Sequence, residues 1–240
     1  MRRSPVGGNS ACYDMSMRLL VLSLLAGLVV SSCGGDDQGE GDRGSTNPLK
    51  DAVAKTEAAK TARLSFDISI TNGQSLTVTG GGEVDFEHDR ERLTIETQGQ
   101  TVELFGDGEE EYVRRGNSGR YQRFPASAQA PVANNPTDSL KYLGTDVVGV
   151  KKTGEQGCYK GRLDFDRIFE RVDERREDEF PAQLRGERAP VLVCLDGEGR
   201  IRRYDVALSI SGVSVDTKST VRDYGNVASL EPLGPDERPR

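Results

Sequence analysis

The chain has no tryptophan, one histidine and no excess of basic residues, and each lack removes a class of function. The lone His88 stands in a charged turn, Glu87-His88-Asp89-Arg90, and no Gly-x-Ser-x-Gly elbow accompanies it. A serine–histidine–aspartate triad therefore has nothing to be built from. Cysteine and histidine are never spaced as metal ligands. Asp196-Gly197-Glu198-Gly199 lacks the alternating ligands and distal glutamate of a calcium loop and reads as a hairpin turn. Gly80-Gly81-Gly82 precedes no helix, so it is no phosphate loop. We expect no enzyme, no cofactor and no metal. Lys and Arg number 32 against 39 Asp and Glu, a net charge of −7, and the runs Glu109-Glu110-Glu111 and Asp173–Asp178 read as solvated acidic faces. Such a balance disfavours nucleic acid and strongly anionic surfaces at long range.

Apolar residues are also scarce, at 35%, with 6% aromatic and a mean hydropathy of −0.58. They are clustered and periodic, which supports a folded domain. The strongest apolar run, Leu19 to Val30, follows Arg18 and ends in Ser31-Ser32-Cys33. It is too short to span a bilayer as a permanent helix, and basic residue, apolar run and small residues together describe a secretory signal. Val30-Ser31-Ser32-Cys33 resembles the bacterial lipobox. The resemblance implies cleavage before Cys33, a diacylglyceryl thioether on that residue, and anchoring at the outer face of the cytoplasmic membrane. The competing reading is an ordinary signal with a chance cysteine, or a short anchor. Loss of residues 1–32, with Arg2, Arg3 and Arg18 against Asp14, would move the charge from −7 to −9. The long stretch before Arg18 holds Cys12, and translation from Met1, Met15 or Met17 stays open.

The expected organisation is a leader over 1–32, a lipidated cysteine and acidic tether over 33–47, one domain over 48–232 and a fraying tail over 233–240. The segment 34–47 has no aliphatic side chain and can bury nothing. Asn47 and Pro48 start a helix over about 48–62, with Leu49, Ala52, Val53 and Thr56 as its stripe. Leu64, Phe66, Ile68 and Ile70 then alternate with polar residues up to a turn at Asn72-Gly73. Leu76, Val78, Val84 and Phe86 continue the pattern, and the three glycines between them predict a sharp bend or bulge. Leu93, Ile95, Val102, Leu104, Tyr112 and Tyr121 extend a meander. Prolines at 125, 131 and 136 mark a long loop, followed by a short helix over 137–143. Strands follow near 147–150 and 157–163, then an amphipathic helix over about 164–175 carrying Phe165, Ile168, Phe169 and Val172. The last strands fall at 191–195, 201–210 and 213–221.

This order resembles that of actinobacterial lipoproteins of the LppX/LprAFG type. Tyr142-Leu143-Gly144, Gly157-Cys158-Tyr159-Lys160-Gly161, the run Leu195 to Arg203 and the closing Asp223-Tyr224-Gly225-Asn226-Val227 carry the likeness. It implies an α+β fold, a strongly curved antiparallel half-barrel closed on one side by helices. It also implies an apolar cavity for a lipid or lipoglycan. The lining candidates are Leu64, Phe66, Ile68, Val84, Phe86, Leu93, Ile95, Val102, Leu104, Ile168, Phe169 and Val172. Any sheet-on-helix core would use the same residues, so a filled interior remains the other reading. The second functional expectation is a cavity-less envelope module, likewise monomeric, that docks on a membrane-protein partner.

Cys158 and Cys194 are an even pair in an exported domain, on strands that become neighbours if the helix over 164–175 connects them. They are expected to form a disulfide, with two buried free thiols as the alternative.

Overall fold

The computed structural model describes residues 47–108, 110–116, 119–123, 136–170 and 184–238, with backbone alone at 136–139 and 141. Cys33 with its leader and tether, the proline loop and Val172 lie outside the described residues. Helix α1, Pro48–Glu57, begins where Asn47 caps it, its side-chain oxygen accepting from the Leu49 N–H at 3.1 Å. It ends earlier than the sequence suggests. The stripe of Leu49, Ala52, Val53 and Thr56 continues only to Ala59, and Lys60 takes a left-handed φ of 67° that turns the chain into a strand.

Strands β1 (Thr61–Asn72), β2 (Gln74–Asp85), β3 (Arg90–Thr97), β4 (Gln100–Asp107), β5 (Glu110–Arg115) and β6 (Gln122–Arg123) form a meander. Helix α2, Pro136–Thr145, leads into β7 (Val147–Lys152) and β8 (Cys158–Asp164). Helix α3 is described over Phe165–Phe169, and β9 (Arg188–Leu195), β10 (Ile201–Ile210) and β11 (Val213–Arg222) follow. All pair antiparallel in one 11-stranded sheet of order β6-β5-β4-β3-β2-β1-β11-β10-β9-β8-β7. The two halves of the chain meet where β1 pairs β11, with Phe66 opposite Ser219 and Ile70 opposite Val215. The sheet is open, and β6 and β7 are its edges. Among the described residues no helix is long and apolar enough to cross a membrane.

The three glycines of β2 interrupt no pairing, which corrects the expected bulge: Gly82, Gly81 and Gly80 stay in unbroken register with Leu64, Ser65 and Phe66. Their work is steric. A Cβ at Gly80 would overlap the Phe66 ring, and one at Gly81 would lie 2.7 Å from the Leu64 carbonyl oxygen. At Gly82 it would strike the Arg92 carbonyl and sit 2.9 Å from the Leu93 Cα. Three neighbouring backbones approach more closely here than side chains allow.

One face of the sheet carries Ala62, Leu64, Val84, Leu93, Leu104, Val191, Val193, Tyr204 and Val221, which join Leu49, Ala52 and Val53 of α1 and Leu140 and Leu143 of α2 in one buried cluster. We call this the inner face. Thr56 fixes α1 to the sheet, its hydroxyl donating to the Ala52 carbonyl and accepting from the Ile201 N–H at 2.9 Å. Gly144 lets α2 approach, since a Cβ there would meet Val53 Cγ2 at 3.2 Å.

The opposite face holds a small second cluster of Phe105, Tyr112, Tyr121 and Leu233. The C-terminal segment is thus packed over residues 233–238, where the sequence predicts fraying. The Tyr121 N–H donates to the Glu237 carbonyl at 3.0 Å, and Arg238 Nε to the Leu233 carbonyl. A pattern of isolated apolar residues hides this contact, because only Leu233 and Leu230 are inserted.

Asp85 latches the segment. Its fully buried carboxylate accepts from the N–H groups of Glu87 and His88 on one oxygen and from His88 Nδ1 and the Leu230 N–H on the other. Burial pushes this carboxyl upward, but the hydrogen bonds from His88 and Leu230 outweigh it and hold its pKa below the usual carboxylate range. A depressed folded value contributes stability above the unfolded value of about 3.9, lost as pH falls through the folded one. Asp85→Asn should therefore lower stability at neutral pH by about 1–3 kcal/mol and flatten its fall below about pH 4. Urea unfolding of both proteins at pH 7 and pH 3 measures this. An unchanged difference between the two pH values would contradict it.

Candidate inner-face lipid site

The inner face changes character along its length. Near the base, Leu64, Val84, Leu93 and Leu104 are buried with Ile168 and Phe169 of α3. Towards the far end the same alternation continues. Phe66, Leu76, Ile95, Val102, Val206, Leu208, Val213 and Val215 are only half-buried there, around Ile68, Ile70 and Val78. The register makes the strip continuous. Phe66 faces Gly80, Ile95 and Val102 on one side, and Ile68 faces Thr217 and Val206 on the other. From β4 to β10 this spans five strand spacings, roughly 24 Å.

Of the sequence candidates, Leu64, Val84, Leu93, Leu104, Ile168 and Phe169 are therefore core. Phe66, Ile68, Ile95 and Val102 lie on the strip. Phe86 is half-buried just past the end of β2, its N–H donating to the Lys60 carbonyl at 2.7 Å. The strip residues Ile70, Leu76, Val206, Leu208, Val213 and Val215 had no place among the candidates. Ile70 and Leu76 continue the visible alternation of β1 and β2, whereas Val206, Leu208, Val213 and Val215 reach Phe66 only through the β1–β11 pairing, which local spacing does not announce.

The base of the inner face also carries acids. Val84, Glu91, Gly106 and Glu111 are successive register partners, so Glu91 and Glu111 are buried on the apolar side. Strict alternation with Leu93 and Ile95 would have placed Glu91 inward. Tyr204, opposite Ser219, has its phenol pushed up by burial, with a smaller push from Glu91.

No family model matches the chain. No curated protein matches it in sequence. Solved structures overlap it loosely. A DUF1329 family protein from Desulfovibrio piger is 10% identical at a TM-score of 0.30, covering 74% of this chain and 92% of its own. A LolA superfamily protein from Nitrosomonas europaea is 9% identical at 0.31, covering 78% and 94%. MucB, in complex with MucA(peri), is 14% identical at 0.27, covering 78% and 59%.

Cys158 and Cys194 are direct partners across β8 and β9 and are joined by a disulfide. Both are buried, with Tyr159 and Val193 beside them pointing to the inner face. Glu155 lies near the two sulfurs, but a disulfide leaves no thiolate to share in holding a metal. Asp196 closes the β9–β10 hairpin by accepting from the N–H groups of Glu198 and Arg200 and from Arg200 Nε at 2.8 Å. Its side chain serves the turn.

Proposed function

We propose that this protein is an exported, non-catalytic lipoprotein, anchored through Cys33 to the outer face of the cytoplasmic membrane, that holds the acyl chain of a lipid or lipoglycan on its inner face. In this reading the sheet is a curved half-barrel and the helices close its base. The carrying observation is the half-buried aliphatic strip from Val102 through Phe66 to Val206, which keeps its alternation around Ile68, Ile70 and Val78. An acyl chain laid there would lose contact with water at about 0.8 kcal/mol per methylene. Ten methylenes give on the order of 8 kcal/mol, comparable to micromolar affinity before immobilisation costs.

Two measurements test the two halves of this reading. Cys33→Ser should shift the chain from the membrane pellet to the soluble fraction of the expressing bacterium. An unchanged pellet would remove the anchor. The full chain should take up a fluorescent fatty acid, and Leu208→Arg, which sets a charge on the β10 side of the strip, should weaken uptake at least about tenfold. Equal uptake by both would place the ligand elsewhere. Crosslinking to a membrane protein without any lipid uptake would favour the docking-module alternative.

A further inference from the structure

The charge of the molecule is unevenly spread along the strands. Between Asp67 and Glu83 there are 15 consecutive uncharged residues, between Glu96 and Glu103 six, and between Asp205 and Asp216 ten, in a chain that is 30% charged. The register brings these three stretches together. They are the tips of the β1–β2, β3–β4 and β10–β11 hairpins, which lie at one end of six consecutive strands. Gln98-Gly99 and Ser211-Gly212 make two of the turns with successive left-handed φ values of 48° and 73°, and 50° and 82°. Asn72, Gln74, Gln98, Gln100 and Ser211 are exposed at the tips, and Leu76, Ile210 and Val213 lie half-exposed among them.

The opposite end is built from charge. Lys60 pairs Glu87 at 2.8 Å, Arg90 pairs Asp107 at 2.8 Å, Asp85 holds His88, and Asp196 holds Arg200. The N-terminus of α1 lies away from that charged base. Asn47 Nδ2 donates to the Gly144 carbonyl at 3.0 Å, three residues before Val147. Val147 pairs Leu163, and Leu163 pairs Ala189, two residues tipward of the Val191–Val206 pair. The described chain thus begins on the tipward side of the Val191–Val206 pair. The 14 residues from Cys33 to Asn47 reach at most roughly 50 Å.

We infer that the three uncharged tips are a bilayer-docking surface, seated at the boundary between headgroups and acyl chains, which directs the open end of the inner face into the membrane. Small polar residues interleaved with aliphatics suit that boundary. Any other end would press carboxylates of an acidic chain against it. The docking stands on the tips' chemistry, and its purpose rests on the lipid-holding reading above.

The absence of tryptophan supplies a clean probe. Full chains carrying Leu76→Trp, Ile210→Trp or, at the base, Glu198→Trp are mixed with vesicles of phosphatidylcholine brominated on its acyl chains, with and without Cys33→Ser. Either tip tryptophan should lose about half its fluorescence, and the base tryptophan should be unaffected. The loss should reverse when vesicles are removed. Glutamates at the exposed Ser75 and Ser211 should weaken vesicle binding about tenfold and leave fatty-acid uptake intact. Unquenched tips, a quenched base, or quenching that persists without vesicles would overturn the docking. Persistent quenching would point to lipid held inside. Failed uptake with quenched tips would sink only the lipid-holding reading.

Discussion

Alanine at position 82 is expected to destabilise the domain by about 3 kcal/mol or more, lowering Tm by roughly 6–12 °C. The added methyl would strike the Arg92 carbonyl and crowd the Leu93 Cα at 2.9 Å. Both are backbone atoms of β3 and hydrogen-bonded neighbours, so neither can swing aside as a side chain could. Relief would require β2 and β3 to part, and Leu93 belongs to the main core. Gly197→Ala is the control. A Cβ there has nothing within 4 Å, and its φ lies outside the left-handed region, so a change within about 0.5 kcal/mol is expected. Thermal melts of the two variants compare them directly. Equal melting points would show that the strands are not packed as closely as described.

Removing the Cys158–Cys194 bridge should have an effect of similar size. The bridge closes a loop with a sequence separation of 36, worth about 4 kcal/mol if it acts by restricting the unfolded chain. It also ties β8 to β9 beside the edge strand β7, where only one neighbouring strand holds the sheet. The double variant Cys158→Ala, Cys194→Ala should unfold at a lower urea concentration, by about 4 kcal/mol on extrapolation. Its urea dependence should also steepen slightly, because the unbridged chain unfolds further. A loss below about 1 kcal/mol would mean that the sheet holds β8 and β9 together without help.

Much of this fold could be read from alternation. Leu64 to Ile70, Leu93 and Ile95, and Tyr204 to Ile210 point their apolar residues to one side as their spacing requires. Local rules also reached the Asn47 cap and the Asp196 hairpin, since both depend on residues a few positions apart. They failed where distant segments meet. Nothing near Phe66 announces Ser219 as its partner, so the strip joining the two halves of the sheet was assigned from one half alone. The glycines of β2 read as a bend or bulge because glycine marks both interrupted pairing and close backbone approach, and only the register separates the two. The tail from residue 233 reads as fraying because its contact with Tyr121 is a backbone hydrogen bond, which leaves no mark on composition.

The strip around Phe66, Ile68 and Val206 is expected to hold an acyl chain. Native mass spectrometry of the full chain purified from its own membranes tests it most directly. A released mass of one lipid per protein, beyond the acyl groups on Cys33, and its loss in Leu208→Arg, is the predicted result. A protein that carries no such mass, or one whose bound lipid is indifferent to a charge at position 208, would contradict it.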